Sequence, residues 1–354
     1  MASSSSSTEQ QSDRRTAAAA VAFLGPITSY THQATRNGGF DEQNWALIPV
    51  TNIIDVFGEV QSGRACFGVV PFENSTHGTV TQCLSGLADR SSRYPDVSVC
   101  AEIYLDVHHY LLGHKASNSG SGADEGGGFG HVKRIYSHPQ AFGQTVNWVA
   151  ENLRSGGRAV ECIEVSSTSR AAELAALDNR RSGEDGEEGG GPGSSSSAAI
   201  ASQMAGEHFG LDVLARNIED RADNVTRFFV LERHNNKNEG GDGNGKAQLP
   251  EKLAGRKGHK TLVSFTVSHR KPGALADVLD VFRRRQLNLT SINSLPSLVE
   301  PFNYLFFVEF EGSSRHEGGE KDDAAGKNVE GAMQEVAKLA ERSRWLGSWV
   351  NQRS

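Results

Sequence analysis

The sequence predicts an α/β fold of two lobes facing across a cleft, followed by a smaller α+β unit with ferredoxin-like order. Three observations lead there. From Val21 onward, short apolar runs alternate with segments of helical period, the pattern of an α/β unit. A second α/β series sits inside the first, so that residues 226–231 return late in the chain as an extended segment and a discontinuous first lobe wraps around the second. From about Lys260 the order changes to βαββα, with room for a last strand near residues 345–350.

The elements follow in order. Residues 20–24 read as a strand ending at Gly25-Pro26, and residues 46–50 as another. Ile53, Ile54, Phe57 and Val60 then fall at helical spacing. Residues 67–70 form a third strand, with Val80, Cys83, Leu84 and Leu87 marking the helix behind it. The apolar stretch 97–112 closes the first lobe. In the second lobe, residues 132–136 are a strand, 139–153 one helix, 159–163 a strand and 168–177 a helix. Residues 198–201 make its last strand, a helix runs to Phe209, and 213–219 look extended. In the C-terminal unit, Leu262, Phe265 and Val267 lie in a strand. Leu275, Val278, Leu279 and Phe282 then repeat at i, i+3, i+4, i+7. Strands at 287–292 and 304–310 and a helix at 329–340 complete it. Arg283, Arg284 and Arg285 at the end of the first of these helices read as a solvated face.

Composition narrows the function. At 354 residues the chain can bury more than one core. Its net charge of −7 argues against a general nucleic-acid binder, and no segment has the apolar length of a membrane span. Cys66, Cys83, Cys100 and Cys162 form no CxxC pair, and no histidine cluster has ligand spacing, so neither a metal site nor a disulfide framework is expected. Residues 1–20 are Ser- and Ala-rich without an apolar core, which reads as a disordered leader and a cytoplasmic protein. Tracts 117–128, 181–197, 234–258 and 313–328 are too polar to bury apolar surface. Three read as insertions and the third as the interdomain linker.

Five blocks carry chemistry. Gly25-Pro26-Ile27-Thr28-Ser29-Tyr30-Thr31-His32-Gln33-Ala34 leads from a strand into a hydroxyl-rich helix start, where free N–H groups suit a carboxylate. In Gly68-Val69-Val70-Pro71-Phe72-Glu73-Asn74-Ser75, three polar residues follow a buried strand directly, at the edge where open α/β sheets bind ligands. Ser137-His138-Pro139-Gln140-Ala141 is again a strand end and helix start, and a plain helix cap explains it as well. Ser166, Ser167 and Thr168 make a fourth such turn. Asn224-Val225-Thr226-Arg227-Phe228 puts a hydroxyl beside a cation able to hold a carboxylate through two parallel N–H bonds, although a surface strand start accounts for it too.

In this order the blocks resemble those of the prephenate dehydratase family: the GPxGTFS-type loop, VPIENSxxG, SHPQA and NxTRF. Lys271-Pro272-Gly273-Ala274-Leu275 and Asn288-Leu289-Thr290-Ser291-Ile292 are similar to the phenylalanine-binding ACT domain of these enzymes. The resemblance spans residues 21–350 outside the four tracts. It implies a periplasmic-binding-protein-like (type II) catalytic domain at 21–233, with lobe 1 at about 21–112 and 212–233 and lobe 2 at about 131–211. A linker at 234–259 and an ACT domain at 260–352 would follow. No chorismate mutase helices precede the dehydratase part, so the form expected is monofunctional.

The family's essential threonine falls on Thr226, with Glu73 and Asn74 beside it as catalytic candidates. Ser29, Tyr30, Thr31, Ser75, His138, Gln140, Ser166, Thr168, Arg227 and Phe228 are the implied substrate-binding residues. Gly273, Ala274, Leu275, Asn288, Asn293 and Ser294 are the implied phenylalanine-binding set. Prephenate would lose CO2 and its ring hydroxyl with no cofactor. Thr226 would hydrogen-bond the departing hydroxyl, Glu73 is the rival donor, and Arg227 with residues 29–31 would hold a carboxylate. L-Phenylalanine is the expected effector, and a homodimer or homotetramer is implied. Two departures stand out. Thr28 replaces a glycine and forbids an easy positive φ, and the ACT signature ESRP reads Asn293-Ser294-Leu295-Pro296. Arogenate dehydratase, with an amino group for the keto oxygen, is the nearest alternative. A non-catalytic ligand-sensing ACT protein is another, and the presence of Thr226 and Glu73 speaks against it.

Overall fold

The computed structural model describes residues 19–115, 128–184, 196–234, 247–255, 258–313 and 324–353. The chain opens with β1 (Ala19–Leu24), α1 (Tyr30–Asn37), β2 (Trp45–Val50), α2 (Ile53–Gln61), β3 (Phe67–Asn74), β4 (Gly78–Thr79), α3 (Thr81–Ala88) and β5 (Val97–Asp106). Next come β6 (Tyr110–Gly113), β7 (Val132–Ser137), α4 (Pro139–Gly143), α5 (Val146–Asn152), β8 (Glu161–Glu164), α6 (Thr168–Glu184), β9 (Ser196–Ala201), α7 (Gln203–Phe209) and β10 (Asp212–Ala215). It ends with β11 (Val225–Arg233), β12 (His259–Thr266), α8 (Ala274–Arg284), β13 (Leu289–Pro296), β14 (Tyr304–Glu311), α9 (Ala324–Leu339) and β15 (Arg342–Val350).

Two sheets carry these elements. One has the order β10-β6-β9-β7-β8; the other runs β13-β14-β12-β15-β5-β11-β3-β1-β2 with β4 beside β3. The central strand β3 is buried almost throughout, as its unbroken apolar run requires. Helices α2 and α3 cover one face of its sheet through Val56, Phe57, Val60, Leu84 and Leu87. On the other face, Ala34 of α1 packs with Phe23, Phe40 and Phe228. The mixed α/β, two-lobed class expected from the sequence is the class observed.

The C-terminal unit has the ferredoxin-like strand order β13-β14-β12-β15, with α8 and α9 sharing one core through Val278, Phe282, Val329 and Val336. Its other face packs Leu262, Phe307, Leu346 and Trp349 against the first lobe. A single parallel register pair, Gly347 with Val99, joins β15 to β5 and makes the larger sheet continuous.

Several boundaries differ from expectation. The stretch 97–112 divides: β5 stays in the larger sheet, whereas β6 crosses to pair with β9 and β10. Residues 212–215 therefore also belong to the second sheet rather than the first lobe. The single helix expected at 139–153 is two, because Thr145 leaves helical geometry (φ −131°, ψ 20°) and turns its buried hydroxyl back to the Ala141 carbonyl at 2.9 Å. Extended geometry at 213–219 stops as a strand at Ala215. Within the expected linker, Leu253 is buried in the first lobe's core, and Lys252 donates to the Asn37 carbonyl at 3.1 Å. The remaining parts of the four polar tracts and of the leader lie mostly outside the described residues. Arg283 and Arg284 pair with Asp280, and Arg284 and Arg285 with Glu335, as a solvated face does. Among the described residues no helix is long and apolar enough to cross a membrane.

Candidate active site

Two crossings join the lobes, from β5 to β6 and from β10 to β11, and they are fastened to each other. Glu219 accepts from the His109 N–H at 2.8 Å and lies 2.7 Å from His108 Nδ1. Ile218 N–H donates to the His109 carbonyl at 3.0 Å, and Val107 N–H to the Asn224 carbonyl at 2.8 Å. Beside this hinge lies a cleft of about 1350 Å³ walled by both lobes.

Helix starts point into the cleft. Ser29 caps α1 by accepting from the His32 N–H at 3.2 Å, and His138 caps α4 by accepting from the Gln140 N–H at 3.2 Å. Helix α6 begins at Thr168, with Ser166 and Ser167 also lining the cavity. Positive dipole ends of helices thus converge from both lobes, an arrangement suited to an anion. Thr28 adopts φ 71°, against expectation. Contacts from both lobes hold this strained turn: its N–H donates to His32 Nδ1 at 3.0 Å, its hydroxyl meets Ser169, and its carbonyl accepts from Ser202 at 3.3 Å.

The opposite wall is set by strand alternation. In the antiparallel register Thr226 lies opposite Asn74, and Arg227 opposite Glu73. Successive residues on a strand face opposite ways, so Asn74 and Thr226 line the cleft and Glu73 and Arg227 do not. Asn74 Nδ2 donates to Thr226 Oγ1 at 2.9 Å and to Asn224 Oδ1 at 2.8 Å. Asn74 Oδ1 accepts from the N–H groups of Thr76 and His77, each at 3.0 Å. The amide is therefore held at both ends, and the Thr226 oxygen, already accepting, keeps its own proton to donate.

Around the hinge, Tyr30 Oη lies 2.8 Å from His109 Nδ1, and His109 Nε2 lies 2.6 Å from Gln144 Oε1. Gln144 reaches across the lobes to His77 Nδ1 at 3.2 Å. Burial lowers the pKa of His109 and of His138, so both imidazoles are neutral near pH 7. Burial also raises that of Tyr30, whose hydroxyl stays protonated.

A family model described as prephenate dehydratase matches residues 21–236. The bifunctional chorismate mutase/prephenate dehydratase of Aquifex aeolicus is 34% identical over 93% of this chain and 73% of its own length. The prephenate dehydratase of Methanocaldococcus jannaschii is 29% identical over 83% of this chain and 89% of its own. Among solved structures, the prephenate dehydratase of Arthrobacter aurescens in complex with L-Phe matches with a TM-score of 0.69. It is 26% identical, covering 94% of this chain and 90% of that one. The chain belongs to the prephenate dehydratase family.

Of the residues expected in a prephenate dehydratase site, Ser29, Tyr30, Thr31, Asn74, His138, Gln140, Ser166, Thr168, Thr226 and Phe228 line the cleft. Three do not. Glu73 is on the reverse face of β3, which runs on through Asn74 instead of ending at Val70. Ser75 clamps the strand start, donating to the Asp223 carbonyl at 3.1 Å and accepting from the Val225 N–H at 3.0 Å. Arg227 is buried and tied to carboxylates behind the sheet. Sequence reasoning missed His77, Thr79, His109, Gln144 and Ser169. The His108-His109 pair at the end of an apolar run was the one available signal.

The phenylalanine-binding set is not gathered in one place within a single chain. The register puts Thr266 beside Leu305, the end of the sheet where Gly273, Ala274 and Leu275 begin α8. Asn288 meets Glu311 at the other end, about 20 Å along the strand. Asn293 faces the first lobe, where its Oδ1 accepts from Thr79 at 2.8 Å, and its neighbour Ser294 is exposed.

Proposed function

We propose that the protein catalyses the decarboxylating dehydration of prephenate to phenylpyruvate. The observation that carries this is the hydroxyl of Thr226, which accepts from the Asn74 amide on the wall of the cleft and so keeps its proton for a group bound there. In prephenate the bond to the ring carboxylate breaks, its electron pair moves into the ring, and the para hydroxyl leaves. One proton makes that group water. Thr226 hydrogen-bonds the departing oxygen; with a hydroxyl so weak as an acid in water, its contribution comes from position and from exclusion of solvent. Glu73 faces away and takes no part in proton transfer. Arg227 is already paired, so the substrate carboxylates fall to the helix starts, through Ser29 and Thr31 of one lobe and Ser166 and Thr168 of the other. Incubating purified protein with prephenate and following phenylpyruvate absorbance in alkali tests the assignment, with T226A as the control; no phenylpyruvate above that control would sink it. Arogenate would give L-phenylalanine instead, so a parallel incubation in which that amino acid is quantified shows which of the two substrates is preferred.

The C-terminal unit, about residues 260–352, we take to be an ACT domain through which L-phenylalanine inhibits. Its ferredoxin-like order supports this, as does the L-Phe complex of the Arthrobacter aurescens relative. Because one chain separates the binding set, the site would form between two copies. Strand β13 pairs only with β14 among the described residues; its Ile292 is 51% exposed, and Phe302 in the turn that follows it is 84% exposed, a surface that supports dimerisation. Light scattering with and without L-phenylalanine, beside an inhibition curve, tests both points; a monomer insensitive to L-phenylalanine contradicts them.

A further inference from the structure

Behind the cleft, the C-terminal unit grips the strand that carries Thr226. Arg227 Nη2 lies 2.5 Å from Glu309 on β14 and 2.6 Å from Glu102 on β5. Lys260 on β12 lies 3.3 Å from Glu102 and 3.6 Å from Glu309. All four residues are buried, and their two positive and two negative charges balance. Burial alone would lower the pKa of Arg227, but the carboxylates of Glu309 and Glu102 outweigh it and raise it. Thr290 on β13 donates to Glu309 at 2.6 Å. Such a cluster adds little net stability over apolar side chains of the same volume, because desolvation offsets the attraction. What it does supply is a fixed relation between the two units, since Arg227 and Lys260 each face both carboxylates, one on β5 and one on β14.

Arg227 is one peptide from Thr226, so a displacement of the guanidinium is carried straight into the cleft. A second contact acts on the same wall. Asn293 accepts from Thr79, which lines the cleft on β4 and pairs with Glu73 next to Asn74.

We propose that Glu309 and Asn293 of the C-terminal unit are positioning residues for the Asn74–Thr226 pair. They hold β11 and β4 from behind, and a ligand that shifts the C-terminal sheet alters turnover through these two contacts. The proposal rests on the assignment of Thr226 as the donor to the leaving hydroxyl.

The test uses the full chain, with kcat and KM for prephenate and the thermal midpoint measured for E309Q, N293L and N293D. A purely structural cluster lowers the midpoint and leaves kcat alone. The expected result is a kcat about tenfold lower in E309Q and N293L with KM nearly unchanged. N293D, which keeps an acceptor for Thr79, recovers most of the loss. A folded E309Q or N293L with wild-type kcat overturns the proposal, and N293L decides alone if E309Q does not fold. Wild-type protein inert toward prephenate would remove the assigned function and the proposal with it, and is scored first.

Discussion

Asn74 and Thr226 lie directly opposite each other on paired strands, and the amide of the first donates to the hydroxyl of the second at 2.9 Å. A hydroxyl oxygen that accepts from a fixed N–H cannot donate back along that line and keeps its proton for another partner. Thr226 lines the cleft, so a group bound there can be that partner.

Reversing this hydrogen bond is therefore more harmful than shortening a contact. In N74D the carboxylate can only accept, so Thr226 would turn its proton toward residue 74 and away from the substrate. The expected outcome is a kcat lower by about 10²-fold with KM changed far less, read from steady-state turnover of prephenate. N74D with wild-type kcat would remove the orientation argument.

Glu73 offers the opposite expectation. Its carboxylate lies 4.0 Å from Arg227 on the reverse face, with its side chain 40% exposed. E73Q removes a half-solvated charge and no group from the cleft, so kcat/KM should stay within about threefold of wild type. A loss beyond a hundredfold would restore Glu73 as the proton donor.

The contrast between these neighbours shows what was legible. Apolar period marked β1, β3, β11 and α8 well, because each is a central strand or an amphipathic helix whose burial repeats in the sequence. The motif order also brought most cleft residues onto one list. It could not say which of Glu73, Asn74, Ser75, Thr226 and Arg227 share a face. Motifs are contiguous, whereas a strand sends every second side chain to the other side, so Thr226 entered the cleft and Arg227 a charge cluster shared with Glu309. Pairing of β6 with β9 instead of with β5's sheet was equally hidden, since it depends on a crossing that local pattern does not encode.

Removing Arg227 should be costly to the fold. R227L leaves Glu102 and Glu309 buried with Lys260 as their remaining cation. Breaking a buried pair in this way costs about 3–5 kcal/mol. Urea unfolding followed by circular dichroism should show it, and a loss below 1 kcal/mol would mean that water reaches the cluster.

Acid should weaken the protein through its neutral histidines. Burial lowers the pKa of His32, His109 and His138 in the folded state. Below the unfolded value of about 6.5 the unfolded chain binds protons that the folded chain resists, so stability falls as pH drops. Above that value these groups contribute no slope. Thermal midpoints between pH 5 and 8 should decline on the acid side, and the decline should shrink in H109Q. An unchanged acid slope in H109Q would exclude His109 as a contributor.

Two glycines separate backbone strain from steric exclusion. Gly78 sits at φ 75° with open space where a Cβ would go, so G78A should cost only the left-handed strain, about 1–2 kcal/mol. Gly347 sits at φ 146°, and a Cβ there would stand 2.1 Å from the Val99 carbonyl oxygen. That carbonyl belongs to the one register pair joining β15 to β5, so it cannot yield without parting the C-terminal sheet from the first lobe. G347A should therefore cost more than G78A and, if Glu309 positions the catalytic strand, lower kcat as well. Unfolding free energies for both variants, with kcat for G347A, decide this; a stability loss in G347A no larger than in G78A would show that β15 can shift off β5 without harm.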